Sequence, residues 1–503
     1  MGSGAKQRVM AGFLALAMVF GMGLGSLYVA WAGEDDGPDL YWLDELVEDM
    51  RDLEFNEVEE YGDGDGREAP DVTIVPGFSI VDVDNEVELR EALDSGISEM
   101  LITITDSINL RNGALFIHNG QTVRLVSARG TSEGESGMSI SNPNGNTIVV
   151  NGGTLTVDNI VIGGGGVGIS VRDGGRLNMN DGAVVRGNSV GVRVYENSLF
   201  EMHGGLIDNS GVVGISIGFG ASGGIVNMHG GILRNNGTRP ASVGAVNMHG
   251  NASFIMEDGE LLFNVFGVTR QSGSNHVEIR GGRIAQNYRD AIFLREGSLT
   301  LGAGDIRIDG NGGEGIVIFN TTTAIGGGSI AGHDRFGILA YDAEITVTGG
   351  RIENQYAGIV LQSGAQLTMT GGVLLDNEFG IYAPHSSVEL IGGSITGSAN
   401  TGVRAHGDAT VVLGEGNAQI FGGAYGVRIT DGHLTMSGGT IIRSQIGIRS
   451  QDTTLDITGG SLENEDHDIL ASDSNLTMCS SVASANDQNI LAEGGTFRII
   501  RSQ

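Results

Sequence analysis

A repeat of 21 to 24 residues runs from about Val150 to the last residue and limits what the chain can fold into. Its most regular element is a glycine followed by isoleucine or valine, with steps of 21, 22, 22, 24 and 21 residues between Gly337, Gly358, Gly380, Gly402, Gly426 and Gly447. A second element is a Gly-Gly pair, at Gly349-Gly350, Gly371-Gly372, Gly392-Gly393, Gly438-Gly439 and Gly459-Gly460. Repeats of fixed length predict a solenoid of stacked units.

Each unit has the pattern of short strands, as in the segment ITVTGGRIENQYAGIVLQSG at Ile345 to Gly364. Apolar and polar residues alternate over four or five positions and are interrupted by Gly, Asn or Asp, which indicates strands and tight turns. About three such strands fit in one unit, so the repeat predicts a parallel β-helix. An asparagine column predicts a ladder of stacked turns, with members Asn188, Asn209, Asn235, Asn287, Asn311, Asn354 and Asn377.

With these repeats the chain resembles the right-handed parallel β-helix family, with its pectate-lyase-like fold, over roughly residues 80 to 503. The segment from Asn85 to Leu93 is similar to the start of such domains, because an Asn cap is followed three residues later by Glu88. Leu89 and Leu93 then lie on one helical face, so we expect a short helix that covers the first coil. The family combines lyases, hydrolases, phage spikes and adhesins, so the resemblance implies a fold and not an activity.

The predicted fold class is therefore all-β, a three-strand-per-coil solenoid of about 16 coils with an N-terminal capping helix. Glycine accounts for 86 of the 503 residues and proline for only 6, a composition that favours tight turns over disorder. The predicted domain boundaries are 72–149 for the cap and first coils and 150–503 for the parallel β-helix repeats.

Residues 1–32 have the layout of an export signal. Lys6 and Arg8 precede an apolar run from Val9 to Val29, which is followed by Ala30-Trp31-Ala32. The segment is either a cleaved signal peptide or an uncleaved membrane anchor, since the run is almost long enough to cross a bilayer. In both cases the repeats are expected outside the cytoplasm, secreted or at the cell surface.

Residues 33–71 form a strongly acidic leader, whose apolar residues have helical spacing between Leu43 and Leu53. The leader is either a solvated spacer or an amphipathic helix that docks on the repeats or on a partner. The formal net charge of the chain is −33, which excludes nucleic acid and anionic membrane surfaces as partners. Contact with a membrane is expected only through the N-terminal segment if it stays uncleaved.

The catalytic signatures of the family are absent from the repeats. Family hydrolases of polygalacturonan carry an Asp-Asp pair and a lysine, but here the Asp-Asp pair is Asp35-Asp36 in the leader and the only lysine is Lys6. No cluster of Asp residues stands out for calcium, which is expected only if the protein is a lyase. No cofactor is predicted.

Aligned units place polar residues on neighbouring coils after the Gly-Ile element. The candidates for binding an acidic sugar and moving a proton are Tyr341, Tyr382, His385, Arg404, His406 and Arg428, with Asp342, Asp408 and Asp431 close in sequence. The alternative is an exposed polar face, as every solenoid has. Phe336, Phe379, Tyr425 and Tyr356 form an aromatic column, for which corner packing is the first expectation and a binding stripe the second.

A second column contains His203, His229 and Glu257, which are candidates for a zinc site. Two imidazoles and one carboxylate on a flat sheet offer poor tetrahedral geometry, so a surface ladder is the competing interpretation.

We therefore expect an exported structural or adhesive module whose partners are polysaccharide or cell-surface components. One alternative is a polysaccharide lyase or hydrolase that uses the surface between Tyr341 and Arg428. Another is a self-assembling subunit of a filament or sheath, since the last segment, Thr496 to Gln503, still has the pattern of a strand and would leave a C-terminal coil for pairing with a second copy.

Overall fold

A computed structural model describes residues 78–129, 137–219, 223–238, 243–270, 273–480, 482–484 and 490–500. The predicted export segment at 1–32 and the predicted acidic leader at 33–71 lie outside these residues. Helix α1, Glu86–Asp94, is capped at its N-terminus by Asn85, whose side chain accepts hydrogen bonds from the backbone N–H groups of Val87 and Glu88. Leu89 and Leu93 are buried in the core, as the spacing predicts.

The strands form three parallel columns, which we call faces A, B and C in the order in which one coil visits them. Four strands continue through the corner from face A into face B: Ile292–Leu301, Ile316–Ile325, Thr401–Leu413 and Tyr425–Met436. The other strands of face A are Leu115–His118, Ile148–Asn151, Val167–Arg172, Val190–Tyr195, Val213–Phe219, Gly244–Met248, Val268–Arg270, Phe336–Tyr341, Ala357–Gln362, Phe379–Pro384, Ile446–Gln451, His467–Ser472 and Ile490–Glu493.

The other strands of face B are Ser79–Val83, Glu99–Ile104, Thr122–Ser127, Thr154–Asp158, Arg176–Met179, Leu199–Met202, Ile225–Met228, Ser253–Met256, His276–Ile279, Glu344–Val347, Gln366–Met369, Ser387–Leu390, Thr454–Ile457, Asn475–Cys479 and Thr496–Ile500. Face C consists of Ile108–Asn109, Ser139–Ser141, Val161–Gly163, Val184–Arg186, Leu206–Asp208, Ile232–Arg234, Glu260–Leu262, Gly282–Ala285, Ile306–Asp309, Ser329–Ala331, Arg351–Glu353, Val373–Leu375, Ser394–Thr396, Gln419–Phe421, Thr440–Ile442, Ser461–Glu463 and Ala483–Ser484.

The solenoid has about 18 turns, so the estimate of about 16 coils is too low. The estimate counted coils from Val150, whereas the first strand already begins at Ser79. One early coil is longer than the others, since Thr122 pairs with Thr154 whereas Ser79 pairs with Met100 and Glu99 with Thr122, and this longer coil interrupts the repeat before Val150. The fold class, a right-handed parallel β-helix, is confirmed.

The Gly-Ile element lies where face A begins, and it is glycine because there is no room for a side chain. A Cβ atom on Gly337 would come within 2.5 Å of the Ile352 side chain and 2.7 Å of the Gly358 carbonyl oxygen. The isoleucine that follows, Ile338, is fully buried in the core. The repeat is therefore a consequence of close packing between neighbouring coils.

A ladder of buried amides runs along the corner between faces C and A. The side-chain oxygens of Asn264, Asn287 and Asn311 each accept a hydrogen bond of 3.0 Å from the backbone N–H of the equivalent residue one coil earlier. The prediction of an asparagine ladder is thus confirmed for Asn287 and Asn311, and likewise for Asn188 and Asn377. Three other members of the predicted column, Asn209, Asn235 and Asn354, lie one residue before the ladder with positive φ angles.

His333 takes the place of an amide in this ladder. Its Nδ1 atom accepts from the backbone N–H of Asn311 at 3.3 Å, and its Nε2 atom lies 3.2 Å from the carbonyl oxygen of Ile308. A proton on Nδ1 would point at a backbone N–H, so the ring is neutral. Burial lowers the pKa of His333 from its ordinary 6.5 to about 4.

We expect His333 to make the solenoid sensitive to acid. Because the folded-state pKa is depressed, this site stabilises the fold above pH 6.5 and loses about 3 kcal/mol as the pH falls from 6.5 to about 4. His333→Asn gives this position the side chain that the equivalent positions Asn311 and Asn377 have. The variant should lose less stability in acid, as measured by the free energy of unfolding in urea between pH 6.5 and about 4. The matched control is His433→Asn on an exposed strand residue, and an equal acid slope in wild type and His333→Asn would contradict the assignment.

Candidate functional site

One outward column of face A contains three of the predicted site residues, Tyr382, Arg404 and Arg428. Alternate residues of each strand point into the core, as Ile381, Val403 and Val427 do, so the residues between them point outward. Parallel pairing places the outward residues in one line across the coils, in the order Leu339, Val360, Tyr382, Arg404, Arg428, Arg449, Leu470 and Leu491. The line changes from aliphatic to aromatic to basic and back to aliphatic.

Aromatic rings hold the arginines of this column. The guanidinium carbon of Arg404 lies 5.6 Å from the centre of the Phe379 ring and 5.4 Å from that of Tyr382. The guanidinium groups of Arg428 and Arg449 share the ring of Tyr425, at 5.5 and 5.8 Å. Stacking at these distances attracts the cation to the ring face and fixes its position.

Tyr382 and His406 form a hydrogen-bonded pair, with 2.9 Å between the phenol oxygen and Nε2. Burial raises the pKa of Tyr382, so the phenol keeps its proton. Burial, together with the charges of Arg404 and His385, lowers the pKa of His406 and favours a neutral ring. A neutral imidazole can accept the phenol proton, and the pair carries no charge of its own.

The other predicted residues of this face lie at different positions. Tyr341 stacks on Phe319, with 4.6 Å between the ring centres, and lies two coils before Tyr382. His385 is a corner residue with a φ of +50°, and its ring centre lies 6.0 Å from that of His406. The same left-handed corner position in other coils holds the acidic neighbours that the sequence suggested, Asp342, Asp408 and Asp431.

A small apolar cluster lies outside the core at the start of face A. Its buried members are Phe336, Ala357, Val360 and Phe379, with Leu339 and Tyr382 packed against them. Corner packing of Phe336 and Phe379 is therefore confirmed. Tyr356 lies between their rings, at 6.3 and 5.4 Å, yet its side chain is 45% exposed.

On face B, His229 links two carboxylates. Its Nε2 atom lies 2.9 Å from Glu201 and its Nδ1 atom 2.9 Å from Glu257, while the ring of His203 stacks on it with 4.9 Å between centres. Both nitrogens of His229 are thus used within a ladder, and Arg280 is a further partner of Glu257 at 3.1 Å. In the part of the chain that the structure describes, no three or more His, Cys, Asp or Glu side chains form a group that could hold a metal ion.

Two residues of these sites are new with respect to the sequence. Arg449 occupies the same outward column as Arg428, and continuing the alignment by one coil finds it. Glu201 lies two residues before His203, in the neighbouring outward column, and reaches His229 across the columns, a contact that alignment does not show. Tyr356 is expected in the aromatic column, but its exposure has no signal in the sequence, since it precedes Gly358 by two residues instead of one.

The contacts of His229 predict a stability that depends on pH. Hydrogen bonds to Glu201 and then Glu257 raise its pKa above the ordinary 6.5. Because the folded-state pKa is raised, the stabilisation is complete below pH 6.5 and is lost as the pH rises through the raised value. His229→Gln should cost no more than about 1 kcal/mol at low pH and nothing above the raised pKa, as measured by urea unfolding at a series of pH values. A cost that increases with pH would contradict the bridging role.

Comparison with known proteins adds one family match, and its model covers residues 296–490 with the description "Periplasmic copper-binding protein (NosD)". A search of curated proteins finds no match. Among the residues that the structure describes, no helix has the length and hydrophobicity needed to span a membrane. The repeat, the three parallel columns and the matched family together identify the chain as a right-handed parallel β-helix protein of about 18 turns.

Proposed function

We propose that the protein is an exported, non-catalytic β-helix module that binds a cell-surface polysaccharide on face A. Two separate features support export: the layout of the segment from Lys6 to Ala32, and the word periplasmic in the description of the matched family. The proposal of binding without turnover depends on the chemistry of face A.

The observation that carries the proposal is the external apolar cluster with Tyr356 at its surface. A β-helix already has a core, so a second cluster on the outside is not needed to close the coil. Aromatic residues with a polar edge suit ligands that have both apolar faces and hydroxyl groups. Tyr356 offers such a ring, and the Tyr382–His406 pair lies on adjoining coils with groups that can bond to hydroxyls.

Copper does not fit the residues of the matched segment. Its histidines include His385 and His406, whose rings meet edge to face while Nε2 of His406 is engaged by Tyr382. The thioethers Met369 and Met436, which would suit Cu(I), are buried in the core. We therefore derive no function through copper.

One observation favours the enzyme alternative. Asp290 and Glu314 lie on neighbouring coils, and the Asp290 carboxylate accepts a hydrogen bond of 2.9 Å from the backbone N–H of Glu314. Burial and the adjacent Glu314 raise the pKa of Asp290 well above its ordinary value, a property that a general acid requires. Asp290 and Glu314 lie on coils before that of Tyr341, whereas Tyr382 and His406 lie on coils after it. The two pairs therefore do not form one site.

Substitution of the exposed ring tests the proposal. Tyr356→Ala should weaken binding to a polysaccharide array about tenfold, since it removes the stacking surface. Tyr288→Ala is the matched control, because Tyr288 directly follows the ladder residue Asn287, as Tyr356 follows Gln355, and is 61% exposed. Equal binding by wild type and Tyr356→Ala would contradict a site on face A.

An assay for cleavage distinguishes the enzyme alternative from the binding proposal. A bound polysaccharide should stay intact on prolonged incubation, as followed by the appearance of reducing ends or of unsaturated products. Cleavage that wild type performs and Asp290→Asn does not would replace the binding proposal by the enzyme.

A further inference from the structure

We propose that Arg404, Arg428 and Arg449 form an anion-binding ladder that selects a linear acidic polysaccharide, running along the solenoid with one oxyanion group for each coil. This inference rests on the proposed function and narrows its ligand class. The three residues are named below as the arginine ladder.

The register places the arginine ladder on three successive strands. Arg404 pairs with Arg428, and Arg428 pairs with Arg449, so the side chains leave the sheet at intervals of about 4.8 Å. Like charges that lie directly opposite each other on neighbouring strands are destabilising. In a chain with a formal net charge of −33, carboxylates to relieve this repulsion are abundant.

Across the residues that the structure describes, none of the three guanidinium groups has an acidic partner within ion-pair distance; their contacts are the rings of Phe379, Tyr382 and Tyr425.

Face C shows the contrasting arrangement. Arg283 and Arg307 also pair in register, and Arg351 lies two strands after Arg307 in the same column, with Ser329 between them. Each of these arginines has its own carboxylate: Asp309 at 2.6 Å, Asp305 at 3.4 Å and Glu353 at 2.5 Å. The arginines of face C thus form ion pairs with carboxylates, whereas those of the arginine ladder on face A form none with the described residues.

The N–H donors of the arginine ladder have no hydrogen-bond acceptor among the described residues, where the contacts of the guanidinium groups are aromatic rings. A guanidinium binds an oxyanion through its N–H groups, often through two at once. The rings therefore position the three cations, and no other group of the described residues uses the donors that a carboxylate or sulfate would need. The side chains are half-buried, so their partial desolvation strengthens such a contact.

The neighbouring outward column supplies uncharged groups. His406, Thr430 and Gln451 pair in register two residues after the arginines on the same strands. Their side chains can exchange hydrogen bonds with sugar hydroxyls. The combination of a charged column and a neutral polar column matches a polymer with one acidic group per unit, and it fits poorly with a nucleic acid that carries one charge per about 1.7 Å of duplex axis.

Two charge-matched triple variants test the arginine ladder. One is Arg404→Gln, Arg428→Gln and Arg449→Gln; the control is Arg283→Gln, Arg307→Gln and Arg351→Gln on face C. Binding of a polyuronate, a sulfated glucan and a neutral glucan is measured by calorimetry at several salt concentrations. We expect the ladder variant to lose at least about tenfold in affinity for the anionic polymers and to show a salt dependence reduced by up to about three charges.

The control variant and the neutral glucan separate the possible outcomes. The control should bind the anionic polymers as wild type does, and binding of only one of them assigns the oxyanion as carboxylate or sulfate. Wild-type affinity and salt dependence in the ladder variant, or tighter binding of a nucleic acid than of either anionic glycan, would overturn the inference. Binding that depends on Tyr356 but not on the arginines leaves the proposed function standing, whereas no glycan binding by wild type overturns both.

The single variant Arg428→Gln separates a loss of binding from a loss of folding. It removes only the central rung and should reduce affinity for the anionic polymers at an unchanged melting temperature. An unchanged affinity in this folded variant would count against the arginine ladder.

Discussion

Parallel pairing in register between successive coils is the constraint on which the rest of this structure depends. It places residues about 22 positions apart in sequence at a distance of about 4.8 Å, so any residue type that recurs with the repeat becomes a ladder. A ladder of amides is favourable, because each side-chain oxygen bonds to the backbone of the preceding coil, as between Asn264 and Asn287. A ladder of equal charges is unfavourable and needs a partner.

The three faces meet this requirement in different ways. On face C, carboxylates such as Asp309 neutralise the stacked arginines. On face B, the imidazole of His229 lies between the carboxylates of Glu257, in its own column, and Glu201, in the neighbouring column, and contacts both. On face A, aromatic rings position Arg404, Arg428 and Arg449, and no carboxylate of the described residues forms an ion pair with them, which makes this face the exception and the candidate binding surface.

The sequence predicts the columns of this fold better than the contacts within them. The spacing from Gly337 to Gly447 is enough for the parallel β-helix, because glycine is required wherever neighbouring coils pack too closely for a side chain. The same alignment brings Tyr382, Arg404, His406 and Arg428 together, as the structure does. It does not show that the ring of Tyr341 stacks on Phe319, since alignment gives the position within a coil and not the direction of a side chain at a corner. Nor does it separate the asparagines of the ladder from those one residue earlier, because both suit a turn.

The charge of the whole chain and the charge of the arginine ladder act over different distances. A net charge of −33 repels an acidic polymer during its approach, but the potential is screened over about 8 to 10 Å at physiological ionic strength. Contacts between partly desolvated guanidinium groups and oxyanions are screened much less, so the arginine ladder determines binding only at short range. The face C arginines have the same contribution to the net charge, and their charge is already cancelled locally. A difference in binding between the face A and face C triple variants therefore measures the local arrangement of charge, because both variants have the same net charge.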